Sequence, residues 1–113
     1  MARVVAFIPD LLFGSNVLGA LRAAGHEVAL VGDADALGRE LPGAEVLVVD
    51  LTVDAAGRIA VQRPPGVRTL AFYSHVEGGV RNAAEQAGFD LVVPRSRMAR
   101  EGPALVARLL AAG

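Results

Sequence analysis

The sequence lacks cysteine, lysine and tryptophan altogether, and it contains two histidines. Without cysteine, no disulfide framework, thiolate metal site or cysteine nucleophile can form. Two histidines are too few for a histidine-rich metal site. The formal net charge is -1, which argues against attraction of the whole domain to nucleic acid or to an anionic membrane. We therefore expect neither a nucleic acid nor a membrane as a partner.

Long apolar runs are also missing. No stretch approaches the roughly 20 apolar residues that a membrane-spanning helix needs, so we expect a cytoplasmic protein. The length of 113 residues suits one domain and leaves little room for a second. We therefore expect residues 1–113 to form a single domain with a core that needs no covalent staple.

The apolar runs that are present are short, and the most continuous of them is AEVLVVDLT, residues 44–52. Its residues from Val46 to Val49 are apolar on both alternating faces, and the run ends in the carboxylate of Asp50. This pattern is typical of a parallel strand that is covered by helices on both sides. We therefore predict a central strand with Asp50 at its carboxyl end, the edge where open α/β sheets bind ligands.

Similar runs alternate with helical patterns along the whole chain. The predicted strands are 4–8, 26–31, the central run, 67–73 and 91–93. The predicted helices lie near 14–24 with Ser15 or Asn16 as N-cap, after Asp33 or Asp35, and over 54–61, 78–87 and 103–112. Five β/α units in succession predict a flavodoxin-like three-layer fold, with a five-stranded parallel sheet of order 2-1-3-4-5 and helices on both faces.

Polar residues follow four of the predicted strands, and the fold brings these positions to one edge of the sheet. They are Asp10, Asp50 with Thr52, Ser74 with His75, and Arg95 with Ser96. Ser74, His75, Arg95 and Ser96, with Gly78 and Gly79 at the start of the fourth helix, are candidate ligands for an anion. Asp10 and Asp50 are weak candidate ligands for Mg²⁺. The alternative roles are structural: Asp10 would accept N–H groups before the first helix, and Ser74 would cap the fourth.

The segment AAEQAGFDLVVPR, residues 83–95, resembles the passage from helix four to strand five in response-regulator receiver domains. That passage ends in a lysine seven residues after the glycine, and here Arg95 stands seven residues after Gly88. The resemblance makes Asp50 the candidate phosphoacceptor, Ser74 the hydroxyl residue after strand four, and Asp10 one of the two acids after strand one. It also implies a protein partner or a homodimer.

The sequence departs from the receiver pattern at three positions. Pro9 occupies the place of the second acid, Arg95 replaces the lysine, and Pro94 precedes that arginine instead of a proline following it. Mg²⁺ therefore loses one carboxylate ligand, and the planar guanidinium of Arg95 is able to form a bidentate ion pair with Asp50. These departures indicate a degenerate receiver, or pseudo-receiver, with at most weak Mg²⁺ binding.

Three functions are compatible with these residues. The first is a stand-alone receiver-like signalling or protein-interaction module that is not phosphorylated in the usual way. The second is a binding protein for a small phosphate-bearing ligand at the carboxyl edge of the sheet. The third is a small hydrolase or transferase built on Asp10, Asp50 and His75, which the sequence favours least because no nucleophile with an oriented base can be identified. We therefore expect binding rather than catalysis, with no required cofactor.

Overall fold

The computed structural model describes residues 2–74 and 78–112. Strands and helices alternate through both ranges. In chain order they are β1 (Arg3–Phe7), α1 (Leu11–Ala23), β2 (Glu27–Val31), α2 (Ala34–Glu40), β3 (Val46–Asp50), α3 (Ala55–Ile59), β4 (Arg68–Tyr73), α4 (Val80–Gln86), β5 (Leu91–Pro94) and α5 (Arg95–Ala111). None of these helices is both long and apolar enough to cross a membrane.

The five strands form one sheet in the order β2-β1-β3-β4-β5, and all neighbouring pairs are parallel. This confirms the predicted flavodoxin-like fold and the central position of β3. All five residues of β3 are buried, because helices cover the sheet on both faces. Side chains alternate between two apolar clusters, with Val46 and Val48 in one and Leu47 and Val49 in the other.

Val48 provides a direct test of this central strand. Its side chain is fully buried, and it lies beside Ala6 on β1 and Leu70 on β4. We expect Val48→Ala to lower the free energy of unfolding by about 1–3 kcal/mol, because the lost methyl groups leave a cavity between two covered strands. Urea denaturation followed by circular dichroism measures this change. A midpoint equal to that of the wild type would mean that Val48 is not in the core.

The first helix begins earlier than the sequence pattern indicates. Asp10, rather than Ser15 or Asn16, is its N-cap, and the Asp10 carboxylate accepts the N–H of Phe13 at 3.0 Å. The predicted start near Gly14 was therefore wrong. The first-turn residues Leu11 and Leu12 are 78% and 76% exposed, so they do not contribute to the apolar face on which the prediction relied.

The last helix also differs from its prediction. It starts at Arg95 instead of Pro103, and Pro103 lies in its interior. A proline in this position removes one backbone hydrogen bond and is normally costly. Burial accounts for the longer helix, because Met98 and Gly102 pack inward on the same element as Leu105 and Leu109. Packing of this kind overrides local propensity.

Candidate functional site

A cavity of about 550 Å³ opens at the carboxyl edge of the sheet. Parallel strands point their carboxyl ends to this edge, so the residues that follow β3, β4 and β5 meet there. Its lining residues come from α1, the loops after β3 and β4, and the start of α5. They are Phe13, Thr52, Ser74, Arg95, Ser96 and Ala99. We call this space the rim cavity, and its lining contains three hydroxyl groups and one guanidinium.

Asp50 lies at the end of β3 next to the rim cavity, and it is 3% exposed. Its Oδ1 atom accepts the N–H of Thr52 at 2.8 Å and also the Thr52 hydroxyl. Its backbone carbonyl accepts from Arg58 at 2.8 Å, and the Arg58 guanidinium stacks on the ring of Phe7 at 5.1 Å. One carboxylate oxygen of Asp50 therefore already has two protein donors.

Arg95 contacts Asp10 rather than Asp50. Its guanidinium lies 3.4 Å from Oδ2 of Asp10 and stacks on the ring of Phe13 at 4.3 Å. The hypothesis that Arg95 clasps Asp50 was therefore wrong. The reason is geometric: stacking on Phe13 directs the guanidinium towards the start of α1, where the Asp10 carboxylate is fixed by its capping bond to Phe13.

The two acids at this edge are a poor fit for Mg²⁺. Asp10 has one oxygen in the cap of α1 and the other facing Arg95, while Asp50 shares an oxygen with Thr52. Over residues 2–74 and 78–112, no group of three or more acidic or histidine side chains is placed to hold a metal ion. A hard divalent cation favours a near-octahedral set of oxygen ligands, and a positive guanidinium beside one ligand opposes its binding.

The structure brings part of the predicted anion site together. Ser74, Arg95 and Ser96 line the rim cavity, whereas Gly78 and Gly79, which precede α4, are not among its lining residues. Gly79 is the N-cap of α4, so the structural alternative in which Ser74 caps this helix was wrong. His75 lies outside the described residues.

Phe13 and Ala99 were not predicted as site residues. Phe13 lies in the first turn of α1, one residue before the predicted start of that helix near Gly14. Ala99 lies in the part of α5 that precedes its predicted start at Pro103. The hydrogen bond between Thr52 and Asp50 could have been predicted from the sequence, because a hydroxyl residue two positions after an aspartate can donate to its carboxylate. Phe13 links the cavity to the core, since its ring lies 5.1 Å from that of Phe72.

Within residues 2–74 and 78–112, Arg81 on α4 is the one group whose pKa is clearly perturbed. The Glu85 carboxylate, followed by Tyr73, raises the pKa of Arg81 above its ordinary value. The Arg81–Glu85 pair is exposed, with a separation of 3.5 Å. An arginine is charged at neutral pH in any case, so this shift does not create a titrating switch.

Among the comparisons with known proteins, only the comparison with solved structures gave matches. No protein-family model and no curated protein matches the sequence. Among solved structures, the chain is similar to NtrX from Brucella abortus in complex with ADP, with a TM-score of 0.85 and 16% identity over 98% of this chain and 26% of that one. It is similar to a response regulator from Thermotoga maritima, with a TM-score of 0.83 and 12% identity over 98% of both chains.

A third similar structure is the receiver domain of a sensor histidine kinase from Pseudomonas aeruginosa, which has a magnesium ion coordinated in its active-site cleft. Its TM-score is 0.76, and the identity is 18% over 97% of this chain and 98% of that one. The chain thus has the fold of response-regulator receiver domains, as the resemblance of residues 83–95 implied. It spans about a quarter of the length of NtrX.

Proposed function

We propose that this chain is a receiver-like signalling or protein-interaction module whose Asp50 is not phosphorylated by the usual magnesium-dependent route. We also propose that residues 1–113 act as one domain, in the cytoplasm, through a protein partner. The observation that carries the proposal is the arrangement of Asp10: its carboxylate caps α1 and pairs with Arg95. The acid that would hold a cation beside Asp50 is therefore already in use.

The physical reason concerns negative charge. An incoming phosphoryl group and the Asp50 carboxylate are both anionic, and a divalent cation normally offsets their repulsion. Arg95 stands near the end of β5 but directs its charge to Asp10 at 3.4 Å. The Asp50 carboxylate also accepts two hydrogen bonds from Thr52, which makes it a weaker nucleophile.

Incubation with acetyl phosphate and Mg²⁺, followed by intact mass measurement, tests this proposal. We expect no added phosphoryl group and little change in amide NMR spectra with Mg²⁺ or a beryllofluoride mimic. The magnesium-bound Pseudomonas aeruginosa receiver domain serves as the positive control. A mass increase of one phosphoryl group that disappears in Asp50→Asn would overturn the proposal and establish a working receiver.

A double variant that restores features of the receiver pattern tests whether the missing acid and Arg95 limit Mg²⁺ binding. Pro9→Asp with Arg95→Lys supplies a second adjacent acid and releases Asp10 from the guanidinium. We expect this double variant to bind Mg²⁺ more tightly than the wild type in an amide titration, because one further carboxylate becomes available as a ligand. Arg97→Lys, which alters an arginine paired with Glu101 on the same helix, is the matched control and should leave Mg²⁺ binding unchanged.

The rim cavity favours a second function, the binding of a small anionic ligand. Three hydroxyls and the Arg95 guanidinium line it. The first turn of α5 begins after Pro94, which provides no side-chain cap, so backbone N–H groups at this end are available as donors. This function needs no covalent chemistry and is compatible with the first.

A further inference from the structure

The interior of α5 contains two residues that oppose helix formation, Gly102 and Pro103. Glycine and proline each destabilise a helix interior, proline by roughly 3 kcal/mol. Pro103 has no N–H, so the carbonyl of Ala99, four residues earlier, has no α-helical donor. Exceptions to local propensity of this kind tend to occur at functional sites. Both residues face α1 across a groove.

This groove, the α1–α5 groove, has a volume of about 350 Å³. Its walls include Asn16 and Ala20 on α1, and Gly102 and Pro103 on α5. The small residues keep it open. A Cβ atom at Gly102 would lie 3.3 Å from Cε of Met98, so the glycine also lets the Met98 side chain pack against the helix backbone beneath the groove.

The groove and the rim cavity are neighbours, because Phe13 and Ala99 line both of them. The rim cavity provides a polar end and the groove an apolar end, and the two spaces, which meet at these two shared residues, are together called the cleft. Binding sites for small molecules commonly have this composition, with apolar walls and a few convergent polar groups, and volumes of about 300–1,000 Å³.

The charged side chains next to the polar end are Asp10, Asp50 and Arg95. The acids already have donors from the protein, whereas Arg95 has further N–H groups beyond the single contact with Asp10. Stacking on Phe13 at 4.3 Å holds its guanidinium at the junction of the two spaces. A singly charged head group can therefore bind to Arg95, and it meets less repulsion from the two carboxylates than a doubly charged head group would.

We propose that the cleft binds an elongated monoanion with an apolar body, such as a medium-chain acyl carboxylate or an aryl carboxylate. The carboxylate lies in the rim cavity against Arg95, Ser96 and Ser74, and the hydrocarbon body passes Phe13 into the α1–α5 groove. This inference deepens the second proposed function by naming the class of ligand. It is independent of whether Asp50 is phosphorylated.

Octanoate and 1-octanol form a matched pair of probes, since they share a chain length and differ in the carboxylate. Titration of the full chain, followed by amide NMR, should show octanoate shifting Ala20, Ala99, Gly102 and Ser96 together. We expect 1-octanol to bind about tenfold more weakly, because it lacks the charge-assisted hydrogen bonds. Equal affinity for the alcohol would overturn the assignment of the rim cavity to a carboxylate.

Two alanines of α1 provide a matched pair of variants. Ala20 lines the groove, and Ala23 is exposed one turn further along. Ala20→Phe should fill the groove and weaken octanoate binding at least about tenfold, since the hydrocarbon loses its site. Ala23→Phe should leave the affinity unchanged. Both side chains are on the surface, so circular dichroism should show both variants folded.

A second pair tests the head group. Arg95→Gln should weaken octanoate binding about tenfold, whereas Arg97→Gln should have no effect. Inorganic phosphate is titrated separately. Phosphate binding at Ser74 and Ser96 without octanoate binding would overturn the inference of an elongated ligand and would leave the proposed site for a small anion in place. Unchanged octanoate affinity in Ala20→Phe, or no amide shifts at millimolar octanoate, would overturn the inference.

Discussion

Replacing Phe72 with alanine is expected to lower the free energy of unfolding by about 3–5 kcal/mol, the range for truncation of a buried aromatic side chain. Phe72 is fully buried on β4 and stands opposite Asp50 in the β3–β4 register. Its ring lies 5.1 Å from that of Phe13, so the truncation would leave a cavity between the sheet and α1. For a domain of this size, that loss is a large fraction of the total stability.

Urea denaturation, with the slope compared between variants, measures this loss. Phe72→Leu is the matched control, and it should cost less than Phe72→Ala because most of the apolar volume remains. A loss below about 1 kcal/mol for Phe72→Ala would indicate a site that collapses freely or a side chain that is not packed as described. The same variant should also loosen Phe13 and with it the wall of the rim cavity.

Replacing Arg68 with alanine is expected to have the second largest effect and to lower the free energy of unfolding by about 2–4 kcal/mol. Each hydrogen bond that involves a charged group contributes roughly 1.5–3 kcal/mol, and partial solvation of this site reduces the sum. Arg68 begins β4, and its Nη1 atom donates to the carbonyls of Leu109 and Leu110 at 2.8 and 3.0 Å. These are among the last carbonyls of α5, and that of Leu109 also accepts the N–H of Ala112 at 3.2 Å. The positive charge also suits the C-terminal end of a helix.

Arg68→Lys separates charge from geometry. A lysine keeps the positive charge but not the planar fork, so we expect it to restore only part of the stability. Thermal unfolding of the wild type, Arg68→Lys and Arg68→Ala should give three ordered midpoints. Equal midpoints for the wild type and Arg68→Ala would show that α5 does not depend on this anchor.

The fold was predictable from sequence because its signals are local and repeated. The run from Val46 to Val49 is apolar on both faces, as in a covered parallel strand, and the helical stripes between the runs indicated alternating β/α units, for which the order 2-1-3-4-5 is the simplest arrangement. The start of α5 was not predictable in this way. The segment from Arg95 to Gly102 contains three arginines, and Pro103 resembles a first-turn residue, so the local pattern placed the helix start eight residues late.

The candidate site was only partly predictable, for a different physical reason. Strand ends identify which residues share an edge, and Ser74, Arg95 and Ser96 do line one cavity. They do not identify where a long side chain points. Arg95 reaches Asp10 because it stacks on Phe13, and that contact depends on a helix start that the sequence pattern displaced.

Pro103 divides α5 into two halves that are anchored to the rest of the domain by different contacts. The half after Pro103 is held by buried Leu105, Val106 and Leu109 and by the Arg68 anchor. The half before it contributes Met98 to the core and starts without a side-chain cap. We therefore expect amide hydrogen exchange to be faster between Arg95 and Gly102 than after Pro103, where the hydrogen-bond ladder is already interrupted. Faster exchange there would mean that the end of α5 lining the rim cavity opens locally, without global unfolding.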